Sequence, residues 1–214
     1  MLNRIIKLNS IELNRYEKIE EFYNIKRKIA EKHKYSCGKY NLSKFELTIL
    51  NCYTGSFSSC INKPLRKNQL IDGIHEKTVI RLEEILNKIP QVESKYVYRM
   101  DNSSIHLDIN LNEYLNWFNN RIGKIIKIPF FQSTSLIKWE DYPIYWKIKP
   151  LKTESKCKKL NFLKLENNEN EVLFNRNSFL KIISLSGNTI QFEEVRECND
   201  YICFVDYVTQ NKNN

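Results

Sequence analysis

The chain has 214 residues, enough for one domain with a substantial core. Hydrophobic residues make up 42% and charged residues 28%, as in an ordinary globular protein, and no apolar run reaches the length of a membrane-spanning helix, so no membrane partner is expected. The net charge of +9 favours acidic partners such as nucleic acid, an anionic surface or a phosphorylated ligand, although a Lys/Asn/Ile-rich chain acquires the same excess from base composition alone.

The N-terminus, MLNRIIKLNSIELNRYEK, lacks the long apolar stretch and small-residue cleavage site of a signal peptide. The expected location is therefore the cytoplasm of the producing cell, or a target cytosol reached by export without a cleavable signal. A module of a longer chain would read the same way. Ile11, Leu13, Tyr16, Ile19, Phe22, Tyr23 and Ile29 recur at roughly helical spacing. A second helix starts at SKFE, where Ser43 and Glu46 form a capping box and Leu42 and Leu47 a hydrophobic staple. Phe45, Ile49, Leu50 and Tyr53 give its apolar face, and Thr54-Gly55-Ser56 ends it. A third helix is expected from about His75 to Lys88, closed by Pro90.

From Tyr96 onward the texture changes. YVYRM, GKIIKIPFF, YPIYWKIK, EVLF, FLKIISL, TIQFEEV and YICFVDYV are short, rich in β-branched and aromatic residues, and punctuated by Asn, Gly, Ser and Pro. One helix-like piece, LNEYLNWF, interrupts at about 111–118. Helices first and strands later predict an α+β fold, with N-terminal helices packed on a mostly antiparallel two-sheet β-sandwich. The expected organisation is a single domain over 1–214, mainly helical to 95 and β-rich over 96–208, with a disordered tail at 209–214. Cys37, Cys52, Cys60, Cys157, Cys198 and Cys203 form no CxxC pair, and His33, His75 and His106 are scattered, so no metal site is expected. The cysteines are read as reduced, with Cys52 and Cys203 in the core.

Three short motifs carry candidate chemistry. Arg99, in YVYRM, reads as a solvated surface arginine or as an anion clamp, because a guanidinium presents a planar fork of donors that matches phosphate oxygens. In FFQSTSL, strand alternation sends Ser133 and Ser135 to one face and Thr134 to the other. Such hydroxyls either bond nearby backbone or orient a carboxylate. In NENEVLF, Glu169 and Glu171 stand two positions apart before an apolar run. The pair is either an acidic turn screened by water or two cleft carboxylates with divided roles, on one side of the strand if Glu171 begins it.

Taken in order, Arg at a strand end, aromatic-STS and ExE-Val-Leu-Phe resemble the Arg-Ser-Glu class of mono-ADP-ribosyltransferases, which includes bacterial toxins and phage-encoded enzymes. YTGSFSSCINKPLR, from Tyr53 to Arg66, resembles the same family's Tyr-Thr-Gly, Ile-Asn and Leu-Arg segment, and EVLFNRNSFLKI its strand–turn–strand. The resemblance covers roughly Phe45 to Phe192. One departure is Met100, where the family often has Gly after the arginine.

The resemblance implies that NAD is the co-substrate, bound by Arg99, Ser133, Thr134, Ser135 and Glu171 and split at the nicotinamide bond without a metal. It implies that Glu171 stabilises the ribose cation, that Ser133 holds Glu171, and that Glu169 orients or deprotonates the acceptor, commonly an arginine guanidinium. Trp139 and Tyr142 either cover nicotinamide or, for Trp139, sit in the core. The implied partners are a macromolecular acceptor, protein before nucleic acid, and a neutralising antitoxin or immunity protein. Water as acceptor (NAD glycohydrolysis) and a catalytically inactive basic binding module are the competing readings.

Overall fold

The computed structural model describes residues 40–54, 58–66, 73–101, 110–160, 162 and 170–204. The helical periodicity expected over 11–29, Glu169 and the C-terminal tail lie outside these residues. The chain divides into two compact units, Met1–Cys60 and Ile61–Asn214.

In the first unit, helix α1 spans Lys44–Cys52. Its start is the capping box read from the sequence. The Ser43 hydroxyl accepts from the Glu46 N–H at 3.2 Å, and the Ser43 N–H donates to the Glu46 carboxylate at 2.8 Å. Two N–H groups that the first turn leaves without helical partners are thereby satisfied. Leu42, Leu47, Ile49, Leu50, Cys52 and Tyr53 are buried, whereas Phe45, assigned to the apolar face, is exposed. Helix α2, Ser58–Arg66, runs from the end of the first unit into the second. Sequence reading missed it, because Pro64 inside a nine-residue segment argues against a helix. Lys63 and Arg66 in its last turn complement the carbonyl end.

Among its described residues the second unit holds α3 (Gly73–Lys88), α4 (Leu111–Asn119) and nine strands. The strands are β1 Val97–Asp101, β2 Ile125–Ile128, β3 Gln132–Ser135, β4 Ile144–Lys149 and β5 Cys157–Lys159. They continue with β6 Glu171–Phe174, β7 Ser178–Ser186, β8 Thr189–Val195 and β9 Ile202–Cys203. All nine hydrogen-bond into one sheet in the order β5-β6-β3-β1-β4-β8-β7-β2-β9. Every pairing is antiparallel except β4–β8 and β2–β9. The α+β class and the mostly antiparallel sheet are as expected; the strand pairings draw one sheet rather than two.

Tyr114, Trp117 and Phe118 form the buried stripe of α4. Phe118 meets Trp146 of β4 at 5.6 Å and Phe192 of β8 at 5.8 Å between ring centroids, both edge-to-face. That geometry sets the positive edge of one ring against the negative face of the other. Phe204 closes the cluster 5.5 Å from Trp146. The β7–β8 hairpin turns on Gly187-Asn188, and Gly187 supplies the φ of +54° that the first position of such a turn requires. Strand β5, in the basic stretch KCKK, carried no strand signal in the sequence. It forms because β6 offers it an antiparallel edge, pairing Cys157 with Phe174.

Glu194 of β8 is buried and accepts from the Leu151 N–H at 2.9 Å, the Lys156 N–H at 2.8 Å and the Ser155 hydroxyl. It ties the 151–156 loop to the sheet. Burial pushes its carboxyl above the usual range, against the opposing pull of these bonds.

Candidate active site

The strand register builds the site. β3 and β6 run antiparallel with Ser135 opposite Glu171 and Ser133 opposite Leu173. Residues 133, 135 and 171 therefore share one face of the ladder, and Ser133 lies diagonally within reach of Glu171. The Ser133 hydroxyl donates to Glu171 Oε1 at 3.1 Å. Glu171 is the first residue of β6 and is only 8% exposed. A buried carboxylate is retained only when hydrogen bonds or charges compensate its lost hydration.

Thr134 points the other way, as alternation predicts, and its hydroxyl donates to the Val172 carbonyl at 2.8 Å. The Ser135 hydroxyl accepts the Ile137 N–H at 3.1 Å, which bends the chain at the end of β3.

Arg99 lies in the middle of β1 rather than at its end. Its guanidinium donates through Nη1 to the Ser133 carbonyl at 3.2 Å and through Nη2 to Asp101 Oδ1 at 3.3 Å. A continuous hydrogen-bonded chain thus runs from Asp101 through Arg99 and Ser133 to Glu171. Asp101 is 1% exposed, and its Oδ2 accepts the Tyr114 hydroxyl of α4 at 2.6 Å. Sequence reading missed both Asp101 and Tyr114. A signal was present for Asp101, two residues after Arg99 and so on the same side of the strand. Nothing in LNEYLNWF singles out Tyr114.

Asn62, in the INKPLR segment, also has a role the sequence did not reveal. Its side-chain amide donates to the Phe131 carbonyl at 2.9 Å and accepts the Phe131 N–H at 3.2 Å. The amide imitates a strand partner and fixes the segment entering β3. Arg66, from the same helix, places its guanidinium 4.8 Å from the Phe130 ring centre.

Glu169 lies outside the described residues. Asn170 has φ of +44°, the left-handed region that Asn tolerates. The pleat therefore begins at Glu171. Trp139 is 38% exposed, which removes the core alternative considered for it. Cys52 is buried as expected, but Cys203 on the short strand β9 is only half-buried. Met100 is likewise partly exposed. Among the described residues no cluster of His, Cys, Asp or Glu has a metal-holding arrangement, and no helix is long and apolar enough to cross a membrane.

The sequence profile of the ADP-ribosyltransferase exoenzymes matches residues 30–208. The chain belongs to that family. Its fold is similar to the Clostridium limosum C3 exoenzyme, with a TM-score of 0.60 at 25% identity, covering 81% of this chain and 95% of that one. The toxin Plx2a of Paenibacillus larvae matches with a TM-score of 0.59 at 20% identity, over 81% of this chain and 96% of that one. Exoenzyme S of Pseudomonas aeruginosa, solved with human 14-3-3 protein beta and carba-NAD, matches at 0.59 and 17% identity, covering 78% and 81%. No curated protein sequence matches the chain. This toxin-type mono-ADP-ribosyltransferase uses NAD as co-substrate, with transfer of ADP-ribose and release of nicotinamide as its reaction. A molecule with a pyrophosphate and ribose hydroxyls calls for a cation and a hydrogen-bond acceptor, and Arg99 and the Ser133–Glu171 pair are groups of those kinds.

Proposed function

We propose that this ADP-ribosyltransferase modifies an arginine side chain of a target protein, with Arg99, Ser133 and Glu171 as its NAD-cleaving set and Glu169 as the group that receives the acceptor. The observation that carries the reading is the Ser133–Glu171 hydrogen bond, joined to Arg99 through the Ser133 carbonyl.

Each role follows from a physical property. Arg99 holds the pyrophosphate charge and fixes the direction in which NAD lies, since a guanidinium donates along a planar fork. Glu171 hydrogen-bonds the ribose 2′-hydroxyl and stabilises the positive charge that grows on the ribose as nicotinamide departs. Ser133 keeps Glu171 in one orientation, so less reorganisation is needed at the moment of bond cleavage. Thr134 and Ser135 shape the same strand end through their bonds to Val172 and Ile137. A guanidinium acceptor is protonated at neutral pH, and a carboxylate at position 169 attracts it and takes up its proton. Exposed Trp139, shortly after β3, is available to cover the nicotinamide ring.

The test is an acceptor series. The enzyme is incubated with labelled NAD and either a small guanidino compound, the same compound with an amine in place of the guanidine, or RNA. Labelling of the guanidino compound alone supports the proposal. The net charge of +9 motivates nucleic acid as the second acceptor class. Label on RNA that falls steeply with rising salt, through counterion release, would establish that class instead.

A further inference from the structure

Arg99 sits on a long flexible stem, and an anion clamp works best when its guanidinium is already aimed before the ligand arrives. Two groups from different parts of the second unit aim it. Asp101, two residues along β1, receives Nη2 at 3.3 Å, and Tyr114 of α4 donates its hydroxyl to the other Asp101 oxygen at 2.6 Å. Asp101 is 1% exposed, and the Arg99 side chain of the ion pair is 16% exposed. The carboxylate is thus enclosed, while the guanidinium reaches partly toward solvent.

This arrangement answers an electrostatic difficulty. A buried carboxylate beside an anion-binding arginine neutralises part of the charge that the ligand needs. The Tyr114 hydroxyl draws negative charge toward Oδ2, away from the oxygen that faces Arg99. Nη1 and Nη2 each make one bond to the protein, to Ser133 and Asp101. A guanidinium carries five N–H groups, so donors remain for an anion. Tyr114 is itself fixed, being fully buried with its ring 5.1 Å from that of Phe118.

We propose that Asp101 and Tyr114 are positioning residues for Arg99, forming a relay from the α4 core to the phosphate-binding guanidinium that sets the affinity for NAD. The inference rests on the reading of Arg99 as the NAD clamp. The experiment measures the affinity for carba-NAD by calorimetry in the wild type, Tyr114→Phe, Asp101→Asn, Arg99→Ala and the double variant Arg99→Ala/Tyr114→Phe. The wild type and the first two are also assayed for kcat of nicotinamide release at saturating NAD.

Tyr114→Phe removes one hydroxyl and is expected to weaken binding about 10-fold, the size of one charge-assisted hydrogen bond, with kcat held within about twofold. Asp101→Asn, which keeps the shape and removes the charge, is expected to act in the same direction. In the Arg99→Ala background, Tyr114→Phe is expected to change affinity no further, because the relay then has nothing to aim. Equal weakening by Tyr114→Phe in both backgrounds would show a merely structural role and overturn the relay while leaving the clamp intact. Unchanged affinity in Arg99→Ala would overturn the clamp reading and the relay with it. Should Tyr114→Phe lower the melting temperature below the assay range, Asp101→Asn in the two backgrounds gives the same comparison.

Discussion

Two glutamates are buried in the sheet, Glu171 at the start of β6 and Glu194 near the end of β8, and they are held in different ways. Glu194 is held by a single loop: the Leu151 and Lys156 N–H groups and the Ser155 hydroxyl all come from the segment that it fastens to the sheet. Glu171 accepts from the Ser133 hydroxyl of a neighbouring strand, and the chain of bonds continues through Arg99 and Asp101 to a tyrosine on a helix. The first arrangement satisfies loop amides that would otherwise be buried without partners. The second links residues of β1, β3, β6 and α4 in one hydrogen-bonded chain. Burial is common to the two carboxylates; the elements that supply their donors differ.

That comparison can be broken by substitution. The largest effect is expected at Glu171: Glu171→Gln should slow nicotinamide release by ~100-fold or more, on the order of 3 kcal/mol of transition-state stabilisation, with the melting temperature nearly unchanged. Glu169→Ala should abolish transfer to the acceptor while NAD hydrolysis partly persists; transfer at the wild-type rate would end the proposed division of labour. Glu194→Ala should behave in the opposite way. Leaving two buried amides without acceptors should cost about 3 kcal/mol of stability by denaturant titration, while kcat per folded molecule stays at the wild-type level. Ser133→Ala should lower nicotinamide release about 10-fold, the worth of one hydrogen bond to a charged group.

The smallest effect is a pH dependence. The Glu194 carboxyl is raised above its ordinary 4.5 by burial in the folded protein, so the folded state holds that proton more tightly than the unfolded chain. Its stabilising contribution is complete below the unfolded value and is lost as pH rises through the raised folded value. The stability of the wild type relative to Glu194→Gln should therefore decline as pH rises above 4.5 and then level off. A difference that grows with pH would reverse the assignment.

Much of this architecture was legible in the residues. The Ser43–Glu46 capping box announced α1 because both halves of it are local in sequence. The segments YVYRM, YPIYWKIK and EVLF announced their strands, and Glu171 indeed opens β6. What could not be read depends on contacts between distant segments. Strand β5 is polar and exists because the β6 edge recruits it. Helix α2 carries Pro64, which local propensity counts against it. Glu194 and its neighbour Glu193 look alike in TIQFEEV, yet one is buried under a loop and the other pairs with Lys149 at the surface. The Asp101–Tyr114 bond joins residues 13 positions apart through a fold that no spacing rule anticipates.

The most direct measurement is a structure of the enzyme with carba-NAD bound. The account predicts the pyrophosphate within hydrogen-bonding distance of the Arg99 guanidinium and the ribose adjoining the nicotinamide against Glu171. A ligand seated elsewhere, with Arg99 and Glu171 both out of its reach, would contradict it.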